Sequence, residues 1–299
     1  MEIAPLVLAF LLVQAPEPDP VRRAAERSLP FIEKGGLDWM REKKCASCHH
    51  VTFMVWSHRE ALDRGLDVDA RKLEEWTKWA LDFSLGSKNK EGKRNGGGLD
   101  TMAQVILSRP AKADVAPYGE LADLIRSERK QEGHWEAGGQ LPSQRRPKEE
   151  SHEVSSMWVL HSLRSLGREE ERPEALAWLE RRKPGRSVES VALRLLTAPS
   201  EPLLQELLAR QNEDGGWGWL RGELSDALAT GQVLYVLNFA DGADAAAAAR
   251  RAQDFLVRTQ LEDGSWKVPS TKPKSKDASI STYWGTAWAA IGLLRTLPR

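Results

Sequence analysis

Two stretches of this chain repeat one another, and that repetition limits its folds more than any other feature. Residues 207–217 read LLARQNEDGGW and residues 255–266 read FLVRTQLEDGSW. Each is an amphipathic helical run closed by Gln-x-x-Asp-Gly-x-Trp. The glycine supplies the left-handed residue that ends a helix, and the spacing folds the tryptophan back over the turn. A more apolar helical run follows each one, over 225–237 and 281–294. A single pair of such helices cannot bury its apolar face alone, so repetition means stacked pairs.

Weaker copies precede these two. Gln131-Glu132-Gly133-His134-Trp135 closes a run over 117–130 and leads into another from about Glu153 to Leu166. Gly92 stands between 69–85 and 99–108, and Lys183-Pro184-Gly185 between 171–182 and 187–197. Cys48 stands between a run ending near Lys44 and one over 51–64. The turn markers Cys48, Gly92, Gly133, Gly185, Gly216 and Gly264 are 44, 41, 52, 31 and 48 residues apart. Alternating β-branched runs are nearly absent, while Ala/Leu/Glu/Arg-rich stretches with three-to-four spacing recur. The expected fold is all-α: six tandem helix pairs forming an (α/α)6 toroid over 30–299, one helix of each pair inside. A closed ring also explains why neither end of the array carries a polar capping repeat.

Both cysteines, Cys45 and Cys48, lie in the first turn, with His49 directly after them. Cys-x-x-Cys-His is the attachment pattern of c-type haem. Two thiols one short turn apart reach two vinyl groups of a porphyrin, and the next residue offers its imidazole to the iron. The expected cofactor is one covalent haem c, on thioethers from Cys45 and Cys48, with His49 as proximal iron ligand. A redox-active or structural thiol pair uses the same spacing.

The N-terminal sequence agrees with haem attachment. Ile3–Val13 is an apolar run of signal-peptide length, followed by Ala15 and Pro-Glu-Pro-Asp-Pro. Residues 1–15 therefore read as a signal peptide and 16–29 as a linker. Glu2 in place of a basic residue keeps an uncleaved anchor or a buried helix as the other reading. Covalent haem is installed outside the bacterial cytoplasm, so an exported, periplasmic protein is expected, with no stable membrane span after cleavage. The 43 basic and 43 acidic residues balance, which argues against nucleic acid or an anionic membrane as partner.

At Gln211–Trp217 and Gln260–Trp266 the chain resembles the QW repeats of squalene–hopene cyclases and related terpenoid cyclases. The six-pair rhythm is similar to that of protein prenyltransferase β subunits. The resemblance implies the toroid but transfers neither activity. Those cyclases protonate an alkene from an Asp-x-Asp-Asp motif, which this sequence lacks; Asp67-Val68-Asp69-Ala70 comes nearest and sits where a helix N-cap belongs. The prenyltransferases bind zinc through a cysteine away from the first repeat, and none remains here, so no zinc is expected. The Cys-x-Ser-Cys-His-His opening, with Ser225-Asp226-Ala227-Leu228-Ala229-Thr230-Gly231-Gln232, looks like exported bacterial squalene-cyclase-like toroid proteins that carry a c-type haem motif.

In such a ring the first turn lies where the inner helices begin, at the mouth of the central cavity. A sixth iron ligand should come from that end. His152, which starts an inner helix, comes first, then Met54 and His58 in the helix after the motif, and Met102 in another. Water or an open position is equally compatible, and His50 is badly placed to reach the opposite face. Asp226, Thr230 and Tyr235, with Tyr283, Trp284 and Trp288, are the cavity candidates. Aromatic walls suit an apolar or polyene-like ligand, and they are equally what a helix ring needs to fill its centre. The basic stretches 145–148 and 267–276 read as solvated loops. The functions to weigh are a haem protein serving a redox partner, a terpenoid-cyclase-like enzyme or apolar-ligand-binding toroid without haem, and a non-catalytic scaffold.

Overall fold

Helix-forming sequence with apolar residues on one face dictates the elements, and the turn residues dictate where each one stops. The computed structural model describes residues 19–138, 144–273 and 275–298, without the side chains of Ser47 and Cys48. The signal peptide expected over 1–15 lies outside the described residues. Among them are twelve α-helices and no strand: α1 (Pro20–Lys43), α2 (Thr52–Leu62), α3 (Ala70–Gly86), α4 (Leu99–Leu107), α5 (Ala116–Ser127), α6 (Lys148–Ser165), α7 (Arg172–Glu180), α8 (Val188–Thr197), α9 (Glu201–Leu208), α10 (Ala227–Leu237), α11 (Ala243–Thr259) and α12 (Ser279–Thr296). A π-helical turn, Ser47–Val51, runs directly into α2. None of these helices is long and apolar enough to cross a membrane.

The even-numbered helices form a closed inner ring. Each packs on the next, and α12 returns to α2. They are enclosed by neighbours: every residue of α10 is buried, and α6 buries Glu150, Glu153 and Ser155 beside Val154, Met157 and Trp158. The odd-numbered helices lie outside and bury one stripe. In α5 that stripe is Tyr118, Leu121, Ala122 and Ile125, the i, i+3, i+4, i+7 spacing of one helix face. The chain is thus an (α/α)6 toroid of six tandem pairs.

The expected linker over 16–29 is corrected over its described part. Helix α1 begins at Pro20, where the Asp19 side chain accepts from the Val21 N–H at 3.0 Å and proline suits the first helical position. Pro30 lies inside the helix, on its exposed side, where a missing N–H is tolerated best. Ala24, Ala25, Leu29 and Ile32 bury the opposite face.

The repeat motif has one job, repeated. Trp217 Nε1 donates to the Leu207 carbonyl at 2.9 Å, and Trp266 Nε1 to the Leu256 carbonyl at 2.8 Å. The weaker copy does likewise, Trp135 Nε1 donating to Ile125 at 2.7 Å. Each indole therefore satisfies a carbonyl left over at the end of the outer helix before it. Gln211 Nε2 donates to Gly215 O and to Ala248 O of α11. Gln260 Nε2 donates to Gly264 O and to Ala24 O of α1, stitching the last repeat to the first. The left-handed glycine of the fifth repeat is Gly215 (φ 92°), one residue before the marker Gly216. A Cβ on Gly215 or Gly264 would run into the backbone of the next outer helix at Arg251 or Arg27.

Candidate active site

A central cavity lies at the end where the inner helices begin. It comprises ≈ 880 Å³ of atom-free space, its open mouth included. Phe53, Trp56, Trp158, Trp284 and Trp288 form an aromatic wall, held by their mutual packing. Trp158 stacks on Trp288 with centroids 5.1 Å apart, and Trp56 meets Trp288 edge-on at 5.4 Å. Asp100, Glu189 and His49 bring polar groups to the same space.

Asp100 sits in the first turn of α4, after Gly96-Gly97-Gly98. Ser155 Oγ donates to its Oδ1 at 3.1 Å. Burial pushes its carboxyl up to about 7; the neighbouring Glu189 charge acts in the same direction, while the Ser155 bond and Arg146 act against it. A substantial share of Asp100 therefore carries its proton at neutral pH. Glu189 is held differently. Its Oε2 accepts from Arg146 Nη1 at 2.6 Å, and its Oε1 from Trp158 Nε1 at 3.1 Å and Gln232 Nε2 at 2.9 Å. Beside the aromatic wall the cavity thus holds one readily protonated acid, Asp100, and one ion-paired carboxylate, Glu189, with Asp277 at its loop side.

The two stretches expected to be solvated loops are exposed at Lys148, Lys267 and Lys276 and also reach this cavity. Gln144 on one loop, and Ser270, Thr271, Lys272, Ser275 and Asp277 on the other, line it. The Arg145 N–H donates to Thr271 O at 2.8 Å and joins the two loops. The Arg146 side chain is fully buried because Glu189 draws its guanidinium inward, where it also lies 5.5 Å from the centre of the Trp219 ring. Arg145 turns outward to a two-bond pair with Glu223, at 2.7 and 3.2 Å.

His49 lines the cavity and is 6% exposed. Its Nδ1 lies 2.5 Å from His50 Nδ1, and its ring meets Trp39 edge-on at 4.9 Å. His50 is sandwiched between Trp39 and Tyr283, with centroids 4.1 Å away on either side. Burial drives the His49 imidazole down to about 4, with the Lys272 charge adding to the effect. A neutral imidazole at this position could serve as an iron ligand, were a haem held on Cys45 and Cys48. Cys45 is half-buried, and the Cys48 side chain lies outside the described residues. No group of three or more His, Cys, Asp or Glu among the described residues could hold a metal ion by itself.

None of the four sixth-ligand candidates lines this cavity. Met54 is buried against Gly36 of α1, and Met102 against Gly96. His58 faces the outer groove: its Nδ1 lies 2.8 Å from Met54 O and its Nε2 4.0 Å from Glu33. His152 accepts from the Ala137 N–H at 2.8 Å, drawn to the turn before α6. The cavity candidates divide. Trp284 and Trp288 line it; Asp226, Thr230, Tyr235 and Tyr283 do not. Asp226 caps α10 by accepting from the Ala229 N–H at 2.9 Å, and burial raises it to about 6. Thr230 Oγ1 accepts from the Trp217 N–H at 2.9 Å. Tyr235 pairs with His161 Nε2 at 2.7 Å in a groove towards the other end of the inner helices. Tyr283 OH donates to Ile32 O at 2.9 Å, tying α12 to α1.

Sequence reasoning passed over Asp100, Glu189, Arg146 and the Trp56–Trp158 pair. The one available signal was an acid in the first turn of an inner helix, and it has an ordinary reading as a partner of the helix dipole.

The fold is an α/α toroid of the kind found in terpene cyclases. No family model matches the sequence, and no curated protein matches it significantly. Among solved structures, the chain is similar to a variant of the type II terpene cyclase MstE from Scytonema, in complex with its substrate geranylgeranyl dihydroxybenzoate. The two are 14% identical, with a TM-score of 0.59 and coverage of 93% of this chain and 99% of that one. A protein from Actinoplanes is 14% identical, with a TM-score of 0.62, 93% of this chain and all of that one being covered. A polysaccharide lyase is 12% identical, with a TM-score of 0.52 and coverage of 92% and 97%. Likeness at this identity is likeness of fold, and one fold hosts unrelated chemistries.

Proposed function

We propose that this chain binds an apolar, unsaturated ligand in the central cavity and donates a proton to it from Asp100, as a terpenoid-cyclase-like enzyme would. The observation that carries the reading is the buried Asp100 carboxyl, held to about 7 beside an aromatic wall. Proton donation needs a carboxylic acid that keeps its proton at working pH. The carboxyl proton forms a C–H bond with the alkene π pair, leaving a carbocation and the Asp100 carboxylate. The cation is stabilised by the ring faces of Trp56, Trp158, Trp284 and Trp288 and by the carboxylate of Glu189. Loss of a proton from the cyclised cation restores the acid. A single buried acid thereby takes the place of the absent Asp-x-Asp-Asp motif. The MstE structure with a geranylgeranyl-bearing substrate makes polyprenylated aromatic acids the first compounds to try.

The test is product analysis after incubation with a panel of polyprenyl substrates. Turnover is expected to fall as pH rises through about 7, where Asp100 ionises. Asp100→Asn is expected to bind the ligand and lose turnover by at least about a hundredfold. Full turnover in Asp100→Asn, or no binding by any polyprenyl compound, would sink the reading.

A second reading is favoured by the buried, neutral His49 on the cavity wall directly after Cys48. In it Cys45 and Cys48 hold one haem c, His49 ligates the iron, and the bound haem supplies one-electron chemistry to a redox partner of an exported, periplasmic protein. Material secreted with a haem-maturation system is then expected to keep its Soret band through acid–acetone extraction and to gain ~616 Da, the approximate mass of the iron porphyrin. Cys45→Ala/Cys48→Ala should lose both. An unmodified mass in the parent chain would end this reading.

A further inference from the structure

At the opposite end of the ring, the last turns of the inner helices leave a second open pocket of ≈ 760 Å³, its mouth included. Tyr235 separates it from the central cavity: it lines this pocket and packs on Trp56 and Trp288 at 5.5 and 5.6 Å. Three arginines line the pocket, Arg59 from α2, Arg109 just after α4 and Arg295 from α12, with two acids, Glu60 and Asp63. Glu60 is already taken, by Arg295 at 2.8 Å and by Arg64 at 2.6 Å. Helix C-termini carry partial negative charge and attract cations, and Arg109 serves them. Its Nη1 donates to Ile106 O at 3.0 Å and Ser165 Oγ at 2.9 Å, and its Nη2 to Ser165 O.

Arg59 serves no carbonyl. It is half-buried and lines the pocket, yet its side chain makes no hydrogen bond or ion pair among the described residues. Of its three nitrogens only Nε is shut away from solvent, so both Nη groups stay reachable. Asp63, one turn further on, is exposed and acts on Arg59 through its charge without forming an ion pair. Burial still holds the Arg59 guanidinium below its ordinary pKa. A cation partly out of water without a partner is destabilising, and an oxyanion on the guanidinium fork relieves it. Three arginines against two carboxylates leave the lining one positive charge, which suits a monoanion. The pocket also runs into an adjoining one that shares His161, Ser165 and Phe239. That one is walled by Leu195, Leu196 and Val236, with Arg164 its only further charge. Phe239, at the junction, is 48% exposed.

We infer that this end of the ring binds an apolar carboxylate, its head group on Arg59 and Arg109 and its chain along Phe239 towards Leu195 and Leu196. The site is separate from the central cavity and does not depend on the chemistry proposed for Asp100.

The experiment uses the full chain with 4-fluorophenylalanine at its six phenylalanines, followed by ¹⁹F NMR. Phe239 reports on this pocket and Phe53 on the central cavity, each signal assigned by its Leu variant. Octanoate is expected to move the Phe239 signal and to bind about tenfold more tightly than octan-1-ol. Arg59→Gln should bring octanoate down to about the affinity of the alcohol. Because the Arg59 side chain bonds to nothing in the folded chain, the variant's urea midpoint should not fall with it. Octanoate that leaves the Phe239 signal in place overturns the inference, as does equal binding of acid and alcohol, or undiminished binding by Arg59→Gln. Inorganic phosphate that displaces octanoate at equal concentration overturns the choice of an apolar carboxylate. The comparison of acid with alcohol needs only the parent chain, so the inference stays testable if a variant fails to fold.

Discussion

Asp100 and Glu189 share a cavity and are held by opposite means, one by burial and one by an arginine. The Asp100 carboxyl is held at about 7 in the folded chain, against about 4 for a free aspartate. Between those values the folded state binds the extra proton. Asp100 therefore favours folding below about pH 4 and loses that contribution as pH rises through about 7. Asp100→Asn should remove this loss, so urea unfolding at pH 5 and pH 8 should show the variant gaining on the parent at the higher pH. Parallel pH profiles would contradict it. Arg146→Met acts in the other direction, because it strands the Glu189 carboxylate without its cation. Breaking a buried pair in this way costs about 3–5 kcal/mol, readable as a lower urea midpoint with an unchanged slope. Neither role was legible in the chain. Acids open the inner helices at Asp100, Glu150, Glu189 and Asp226, and in sequence they look alike. The fold sends Glu150 to the backbone N–H groups of Arg186 and Ser187 and Asp226 to its own helix. Only Asp100 and Glu189 of the four are left facing the cavity.

At the scale of the element, the Gln…Gly-x-Trp turn joins one outer helix to the next. Its parts were legible because each does local work: a left-handed glycine, an indole reaching back ten residues, a side-chain amide. The partner of the amide was not, since Ala24 is 236 residues from Gln260. Gln260→Ala leaves the Ala24 and Gly264 carbonyls without this donor and should cost about 1–3 kcal/mol in chemical unfolding. A loss no greater than that of an exposed surface substitution would deny the stitch its role. The start of α1 was misplaced for a similar reason. The helix runs through Pro30, which is tolerated on the exposed face while Ala24, Ala25 and Ile32 hold the other.

The whole molecule is a ring, and its closure depends on the first and last pairs meeting. Helix α1 packs on both α11 and α12, with Gln260 and Tyr283 bonding to its backbone. Gly231 of α10 lies against the backbone of Trp288 and Ala289, which sets how closely α10 and α12 approach. Native-state hydrogen exchange should therefore find α10 and α12 the most protected and the outer α5 and α7 among the least. Helix α1 should exchange with the ring rather than fray like a free end. Early exchange throughout α1 would mean an open array instead of a closed toroid.

Helix periodicity, turn glycines and a count of six pairs specified the toroid, because those signals act within about four residues of each other along the chain or repeat from pair to pair. The cavity was decided elsewhere. Which acids, tryptophans and loops face the centre depends on the rotation of each inner helix about its axis and on loops crossing between repeats, and both are set by packing between residues far apart in sequence. Arg146 against Glu189 and Asp100 against Ser155 are contacts of that kind.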